Sequence, residues 1–407
     1  MKQIFVPILA AAVLAGFSCA AEAQKKYDPG ASDTEIKIGQ TMSYSGPLSA
    51  FGLEGRVEAA YFAMLNEKGG INGRKVTLLS LDDGYSPPKT VEQTRKLVEL
   101  ENVLAIVSSL GTAPNIAIQK YLNAKKVPQL LVLSGVSRWD DPEGSPWTMS
   151  FLPAYESEAK IFAKYLLQNR PNAKVGTLSL NGDVGGDFMR GLHEGLGDKA
   201  ATMIVKETTY DSTDTSVDSQ ILSLQNAGAD TLILAAVGKF PPQAIRKSYD
   251  IGWKPLTMLF SPASTIRTSL EPAGPLERAV GFMSTVWMKA PSDPQWADDK
   301  GVRDYHDFMK KYMPDANPDD EVPALGYSTA QLAAYILQQC GDDLTRENLM
   351  RQALSLHDVS LGLMLPGIVL NNSPQARNPI KQFQMVRFDG KEWAPVGPIL
   401  RADDAAH

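Results

Sequence analysis

The sequence predicts an α/β protein of two discontinuous lobes, each a parallel sheet flanked by helices, with a hinge joining them. Three observations carry that prediction. The chain of 407 residues is two to three times the size of a typical domain, which calls for more than one core. Short β-type runs alternate with amphipathic helical windows, the order that gives a parallel sheet covered on both faces. The alternation restarts near Pro153, and surplus helices near the C-terminus send the chain back to the first lobe before it ends.

Element by element, the chain first presents Met1-Lys2-Gln3, an apolar run over 4–17 and small residues ending in Ala21-Glu22-Ala23. That pattern is a secretory signal peptide over 1–23 with an A-x-A cleavage site. The apolar run is too short for a spanning helix, and nothing later reaches the roughly 18 to 20 apolar residues that a bilayer requires. The product is therefore expected to be soluble and periplasmic. Cys19 invites a lipoprotein reading, but the aliphatic residue usual three positions earlier is missing, so ordinary cleavage is favoured. Cleavage leaves Cys340 alone, which excludes an intramolecular disulfide and predicts a buried helical thiol.

The first lobe is predicted to hold strands over 35–41, 75–81, 103–107 and 129–133, with helices over 53–68, 90–101 and 114–124 between them. The second begins with a helix over 157–168. It continues with strands over 174–180, 203–207, 231–235 and 256–260, separated by helices over 187–196, 217–227 and 242–249. Three helical windows follow, over 296–312, 323–339 and 346–355, and then one strong strand over 382–388. These three helices are too many for the second lobe, so the expected division is 34–152 plus about 286–362 for the first lobe. The second takes 153–285 plus about 363–401, and 402–407 forms a tail. A cleft between the lobes, at the carboxyl ends of parallel strands, is where such an architecture binds a small ligand.

Composition and motifs exclude several classes. Hydrophobic residues at 43% and charged residues at 21% describe ordinary globular matter rather than disordered or coiled-coil sequence. A net charge of −6, without a basic block to neutralise phosphates, argues against nucleic acid. No GxSxG, Walker loop, HExxH or C-x-x-C is present, so neither an enzyme, a metal nor a cofactor is expected. The four histidines, His193, His306, His357 and His407, each stand alone on what read as solvated faces. Asp82-Asp83 at a strand end reads as a solvated turn, since no third ligand lies nearby. The glycines within 181–187 imitate a phosphate loop but do not match G-x-G-x-x-G, and read as a strand-to-helix turn.

Two hydroxyl-rich turns are more informative. Ser108 to Asn115 follows a strand, and Pro114 suits the first turn of a helix. Free backbone N–H groups there, with the Ser109 and Thr112 hydroxyls, make an anion site suited to a carboxylate; plain helix capping explains the same residues equally well. The turn from Ser134 through Gly135 and Ser137 to Trp139 follows the next strand. The first strand ends near Tyr44 and Phe51, which bring aromatic surface to the same rim. An aromatic wall beside a carboxylate clamp describes a receptor for a small, partly apolar anion.

At these residues the chain resembles a known family, the type I periplasmic solute-binding proteins of branched-chain (hydrophobic) amino acid ABC importers. The resemblance rests on SGPLSAFG (45–52), NEKGGINGRKV (66–76), the strand-end DD (82–83), GTAPNIAIQKYLNAKKVPQL (111–130), GWKPL (252–256), YSTAQ (327–331) and CGDDLTRENLM (340–350). It runs collinearly through nearly the whole chain after residue 23. It implies two Rossmann-like lobes closing on a ligand, docking of the closed form on membrane permease subunits, and a monomer. Carried over by position, it implies a ligand carboxylate at Ser109, Leu110, Gly111 and Thr112. It also implies polar contacts at Gly135 and Ser137, and Phe51 as an aromatic lid. From the second lobe it implies Asp183 to Gly185 with Val184, Val237 to Phe240 with Gly238 and Lys239, and Pro262 to Ser264 around Ala263.

The sequence departs from the amino-acid pattern at two of these points. Where leucine-type receptors place an acid to pair with the ligand ammonium, this chain has Ser261-Pro-Ala-Ser264, with Ala263 at the aligned position. A buried ammonium without a carboxylate is strongly penalised. Val184 stands where an aromatic residue is common and would enlarge the pocket. Both departures favour an aromatic or aliphatic carboxylate lacking an ammonium over a hydrophobic amino acid. A ligand-sensing receptor that signals through a separate partner is the alternative function, and Trp139, Tyr44 and Phe51 are expected to line the cleft.

Overall fold

The computed structural model describes residues 25–402. The signal-peptide reading, Cys19, His407 and all but the first residue of the expected tail fall outside them. Five parallel strands form the first sheet: β1 (Glu35–Met42), β2 (Lys75–Asp82), β3 (Ile106–Val107), β4 (Gln129–Val132) and β5 (Thr148–Ser150), in the order β2-β1-β3-β4-β5. Helices α1 (Gly52–Glu67), α2 (Pro87–Arg95) and α3 (Thr112–Lys125) connect them. The second sheet has seven strands: β6 (Val175–Leu180), β7 (Ile204–Tyr210), β8 (Thr231–Ala235), β9 (Leu256–Leu259), β10 (Met283–Val286), β11 (Gln382–Phe388) and β12 (Trp393–Arg401). Their order is β12-β11-β10-β9-β8-β6-β7, parallel except where β11 pairs antiparallel with β10 and with β12. Around it lie α4 (Tyr155–Asn169), α5 (Asp183–Leu196), α6 (Asp218–Asn226) and α7 (Phe240–Asp250).

The central strands are short apolar runs buried on both faces, such as Thr-Leu-Ile-Leu-Ala in β8, which is what a sheet covered on two sides demands. The returning helices α8 (Lys300–Tyr312), α9 (Glu321–Gln339) and α10 (Arg346–Ala353) are each started by a side-chain cap. Asp299 accepts from the Val302 N–H, Asp320 from Val322 and Thr345 from Asn348, satisfying donors that the first helical turn leaves open. These helices pack on the first sheet, where Tyr327 of α9 meets Tyr61 edge-on at 5.3 Å. Gly326 allows α9 to close on α1, because a Cβ there would stand 2.7 Å from the Glu54 carbonyl.

Two large cores result. One runs from Ile36 to Phe151 and resumes from Trp287 to Ile380; the other runs from Val132 to Met283 and resumes at Phe383. The segment 363–380, expected in the second lobe, packs instead with the first core through Leu363, Met364, Ile368, Leu370 and Ile380. Other departures have local causes. Residues 103–105 approach β3 as coil, held by Leu104 N–H to the Lys37 carbonyl. Helix α5 begins at Asp183, so Gly185 and Gly186 lie within it rather than in a turn. A Cβ on Gly185 would fall 2.1 Å from the Leu180 carbonyl, so this glycine lets the helix start against its own strand. Strand β12 escaped detection because Pro395, Gly397 and Pro398 interrupt it, as a sheet edge tolerates. Cys340 is buried at the end of α9, its Sγ donating to the Ile336 carbonyl, and burial pushes its thiol up to about 12.

Candidate ligand-binding cleft

The cleft forms where the carboxyl ends of both sheets face each other. It encloses about 460 Å³ and reaches from the start of α1 and the start of α3, past the loop after β9, to the chain crossings and the β11–β12 hairpin. That volume suits a small molecule.

The first wall is set by α3. Gly111, its N-cap, has φ +92°, and a Cβ there would lie 2.2 Å from the Tyr85 ring. Only glycine allows Tyr85 to lie across the helix start. Tyr85 itself holds a left-handed φ of 58°, fixed by its N–H donating to Asp83 at 2.9 Å. Its hydroxyl faces the Thr112 N–H, and burial pushes the phenol above its ordinary range. Thr112 shares a hydrogen bond of 2.7 Å with Ser134.

Tyr155, at the start of α4, also lines the cleft, with its hydroxyl facing the Gly135 N–H and Ser134. In both phenols the oxygen can accept from a backbone N–H, which leaves the phenolic hydrogen to be donated. Deeper in the second lobe, Tyr210 accepts from the Val237 N–H at 2.9 Å in the same manner. A helix N-terminus with two adjacent phenol donors is a neutral, donor-rich end for an anionic group.

The opposite wall comes from the loop after β9. Ser261 donates through its N–H at 2.6 Å and its hydroxyl at 2.9 Å to Glu158 on α4, and Thr285 donates to the same carboxyl at 2.6 Å. Burial pushes Glu158 up to about 7 despite these donors. Its role is to hold the wall, since Ser261 and Thr285 line the cleft and Glu158 does not. Glu321 opens α9 at the cleft rim; its Oε1 accepts from the Ile266 N–H of the second lobe at 3.5 Å, and burial raises it to about 7. Glu54, Lys289, Asp293, Gln295 and Gln384 add further polar groups, and most of the remaining wall is apolar, with Leu48, Phe51, Leu133, Val184, Val237, Leu325 and Ile399 in it.

Of the residues singled out in the sequence, Phe51, Leu110, Gly111, Thr112, Val184, Val237, Pro262 and Ser264 line the cleft. Gly238 stands at its edge, where a Cβ would lie 3.5 Å from Leu48 of the other lobe. The others are placed elsewhere. Tyr44 turns to Ser80 at 2.6 Å beneath the Arg56 guanidinium. Ser109 accepts from the Thr41 N–H and hydroxyl, at 3.1 and 3.0 Å, so its hydroxyl braces the sheet. Gly135 is a packing point: a Cβ on it would stand 2.0 Å from the Pro153 carbonyl.

Ser137 donates its N–H to Asp187 and accepts from Arg190 at 2.9 Å. Trp139 is buried in the second core. Asp183 is exposed at the start of α5, and Lys239 is exposed with its ammonium 5.0 Å from the Phe240 ring. Phe240 packs on Tyr210 at 4.1 Å, and Ala263 is wholly buried while Ser261, Pro262 and Ser264 around it reach the cleft.

Asp82 and Asp83 form a loop clamp rather than a solvated turn. Asp82 accepts from the N–H groups of Tyr44, Ser45 and Gly84 and from Lys89, and Asp83 is fully buried on Ser43, Tyr85 and Thr90. Burial opposes ionisation of Asp82, but Lys89 and the Ser45 and Gly84 donors outweigh it and hold the carboxyl far below its usual range. Among the described residues no group of three or more His, Cys, Asp and Glu could hold a metal ion.

Sequence reasoning missed Tyr85, Tyr155, Glu54, Glu321 and the three tryptophans that do line the cleft, Trp287, Trp296 and Trp393. Tyr85 follows Asp82-Asp83-Gly84, a signal that could have found it. Because Trp139 lies outside the cleft, ligand binding should alter fluorescence through those three instead. Trp393→Phe is expected to reduce the ligand-induced change and Trp139→Phe to leave it, as emission titrations of both variants would show.

Comparison with known proteins agrees with this architecture. The periplasmic binding protein family matches residues 35–392. A Leu/Ile/Val-binding protein homolog 7 of Brucella abortus is 23% identical over 234 residues, 54% of this chain and 57% of the relative. The alignment thus spans little more than half the length of that curated relative. A branched chain amino acid ABC transporter structure from Thermus thermophilus with bound valine superposes with a TM-score of 0.80 at 15% identity, covering 91% of this chain and 97% of the other. A solute binding protein of an ABC transporter from Rhodopseudomonas palustris, in complex with 3,4-dihydroxy benzoic acid, gives 0.74 at 15% identity, covering 90% and 98%. With two sheet-centred lobes around a shared cleft and a family match over nearly the whole described length, the chain belongs to the periplasmic binding protein family, in its leucine-binding-protein-like type I form.

Proposed function

We propose that this protein is the periplasmic substrate-binding receptor of an ABC importer, released by signal-peptide cleavage and acting as a monomer. It traps a small aromatic or aliphatic carboxylate without an ammonium between its lobes and delivers it to permease subunits at the membrane. The observation that carries the ligand class is the donor-rich start of α3, with Thr112, Tyr85 and Tyr155, set in a largely apolar cleft. The loop at Ser261 to Ser264 supports it by offering hydroxyls and no acid. The two ligands named in the structural neighbours, valine and 3,4-dihydroxy benzoic acid, share a carboxylate.

Hydrophobic amino acids are the competing ligands, because Glu54 and Glu321 also line the cleft. Thermal-shift screening of hydrophobic L-amino acids beside the corresponding amine-free acids separates the two. A ligand at a hundred times its Kd stabilises the folded form by about 2.7 kcal/mol. Only the amine-free acids are expected to shift the melting temperature; a shift confined to amino acids would remove this ligand class. Thr112→Val should weaken a carboxylate ligand by roughly 1 to 2 kcal/mol in calorimetry, through loss of one hydroxyl donor. Ser109→Ala should leave affinity unchanged.

A further inference from the structure

One side chain in the cleft has no employment in the arrangement above. Glu54 sits in the first turn of α1, 1% exposed, and lines the cleft beside Phe51 and Leu325. Its Oε2 is buried and has no partner among the described residues. The α1 backbone at Glu54 is fixed by contact with Gly326 of α9, so the residue is held at the cleft by two packed helices. A buried polar atom in native protein is almost always hydrogen-bonded, so an unpartnered carboxyl oxygen on a residue that lines the cleft calls for a partner.

We infer that Glu54 is a specificity-determining residue whose neutral carboxyl takes a hydroxyl on the apolar body of the ligand, so that the preferred ligand is a hydroxylated carboxylate. This rests on the carboxylate reading of the start of α3 and adds a second polar anchor to it. A neutral partner is favoured over a cation because Glu58, one helical turn further along α1, is also fully buried, and burial outweighs the nearby Ser108 and Gln40 donors and raises its carboxyl as well. Ionising Glu54 would add charge beside it in a site poor in counter-charge. Lys289, the lysine at the cleft, is already held by Asp299 at 2.8 Å and the Gly362 carbonyl at 3.0 Å. Burial accordingly raises the Glu54 carboxyl well above its ordinary range. A protonated carboxyl both donates and accepts, which matches a hydroxyl on both counts.

The test is calorimetric titration of wild type, Glu54→Gln and Glu54→Met with two families of acids. These are benzoate with meta- and para-hydroxybenzoate and para-aminomethylbenzoate, and hexanoate with its ω-hydroxy and ω-amino derivatives. In wild type a hydroxylated member is expected to bind at least about tenfold tighter than its parent, the size of one well-made hydrogen bond. Glu54→Gln should keep most of that ratio, and Glu54→Met should erase it while binding the plain acid at least as well. An unchanged ratio in Glu54→Met overturns the inference and leaves the carboxylate reading standing. Tightest binding of the aminated members, lost in Glu54→Gln, also overturns it, and this comparison serves alone if the Met variant does not fold. If hydrophobic amino acids bind wild type and no plain or hydroxylated acid does, the carboxylate reading fails and the inference falls with it.

Discussion

From about pH 4.5 the protein should lose stability until the loss levels off just above pH 7, by on the order of 3 kcal/mol for each of two buried carboxyls. Glu158 and Glu321 are both raised from the ordinary 4.5 to about 7, in each case by burial first of all. A carboxyl raised on folding binds its proton more tightly in the folded state. The stability this confers is complete below the ordinary value and is lost as pH climbs through 7. The two sites differ in consequence. Ionised Glu158 would still have its three donors from Ser261 and Thr285, so its charge is partly compensated. Glu321 has the single long contact to Ile266 across the lobes, so its ionisation weakens closure itself. Denaturant unfolding across this range should show a falling midpoint, its slope reduced in part by either Glu158→Gln or Glu321→Gln, since burial raises Glu54 and Glu58 as well. A slope unaffected by both variants would mean that neither carboxyl is raised.

Gly135→Ala is expected to cost on the order of 3 kcal/mol, since overpacking at a contact that cannot yield sits at the upper end of such effects. The new methyl would meet the Pro153 carbonyl at 2.0 Å and the Tyr155 ring at 2.7 Å. The obstacle is backbone of the first chain crossing, and Tyr155 is tied there by its N–H donating to the Gly135 carbonyl at 2.9 Å. Relief therefore has to move Tyr155, and ligand affinity should fall with stability. Gly186→Ala, where a Cβ meets nothing within 4 Å, is the matched control and should fold normally. Melting curves and titrations of the two variants side by side check this.

Most strands and helices could be read from the sequence because their apolar periodicity is strong and their ends carry glycine, proline or a capping side chain, whereas the short strands β5 and β10 were not. The strand over 231–235 was found to the residue. Pairing at an edge leaves no such signal, and β12 was lost for that reason. The cleft divides along the same line. Gly111 and Thr112 declare themselves, because a glycine and a hydroxyl before a helix have few other reasons to stand together. Ser109 looks identical in sequence and faces the other way, toward Thr41, a matter settled only by the register of β1 against β3. Trp139 and Trp393 are equally plain as letters; which one reaches the ligand depends on the packing of a 3-10 turn and a terminal hairpin. Glu54 was invisible for a different reason. A glutamate in the first turn of an amphipathic helix ordinarily belongs to its solvent face, and only the close approach of α9 at Gly326 shuts it in.

The interleaving of the two cores also orders the birth of the molecule. The first core is missing a large share of its side chains until residues 287–380 have been made, and the second waits for Phe383 onward to supply the strand beside β10. Neither half can therefore complete itself while the chain is still growing, and long-range contacts of this kind form slowly. A chain that cannot finish either core until its last strands arrive stays open to helpers and to partners for as long as its synthesis lasts.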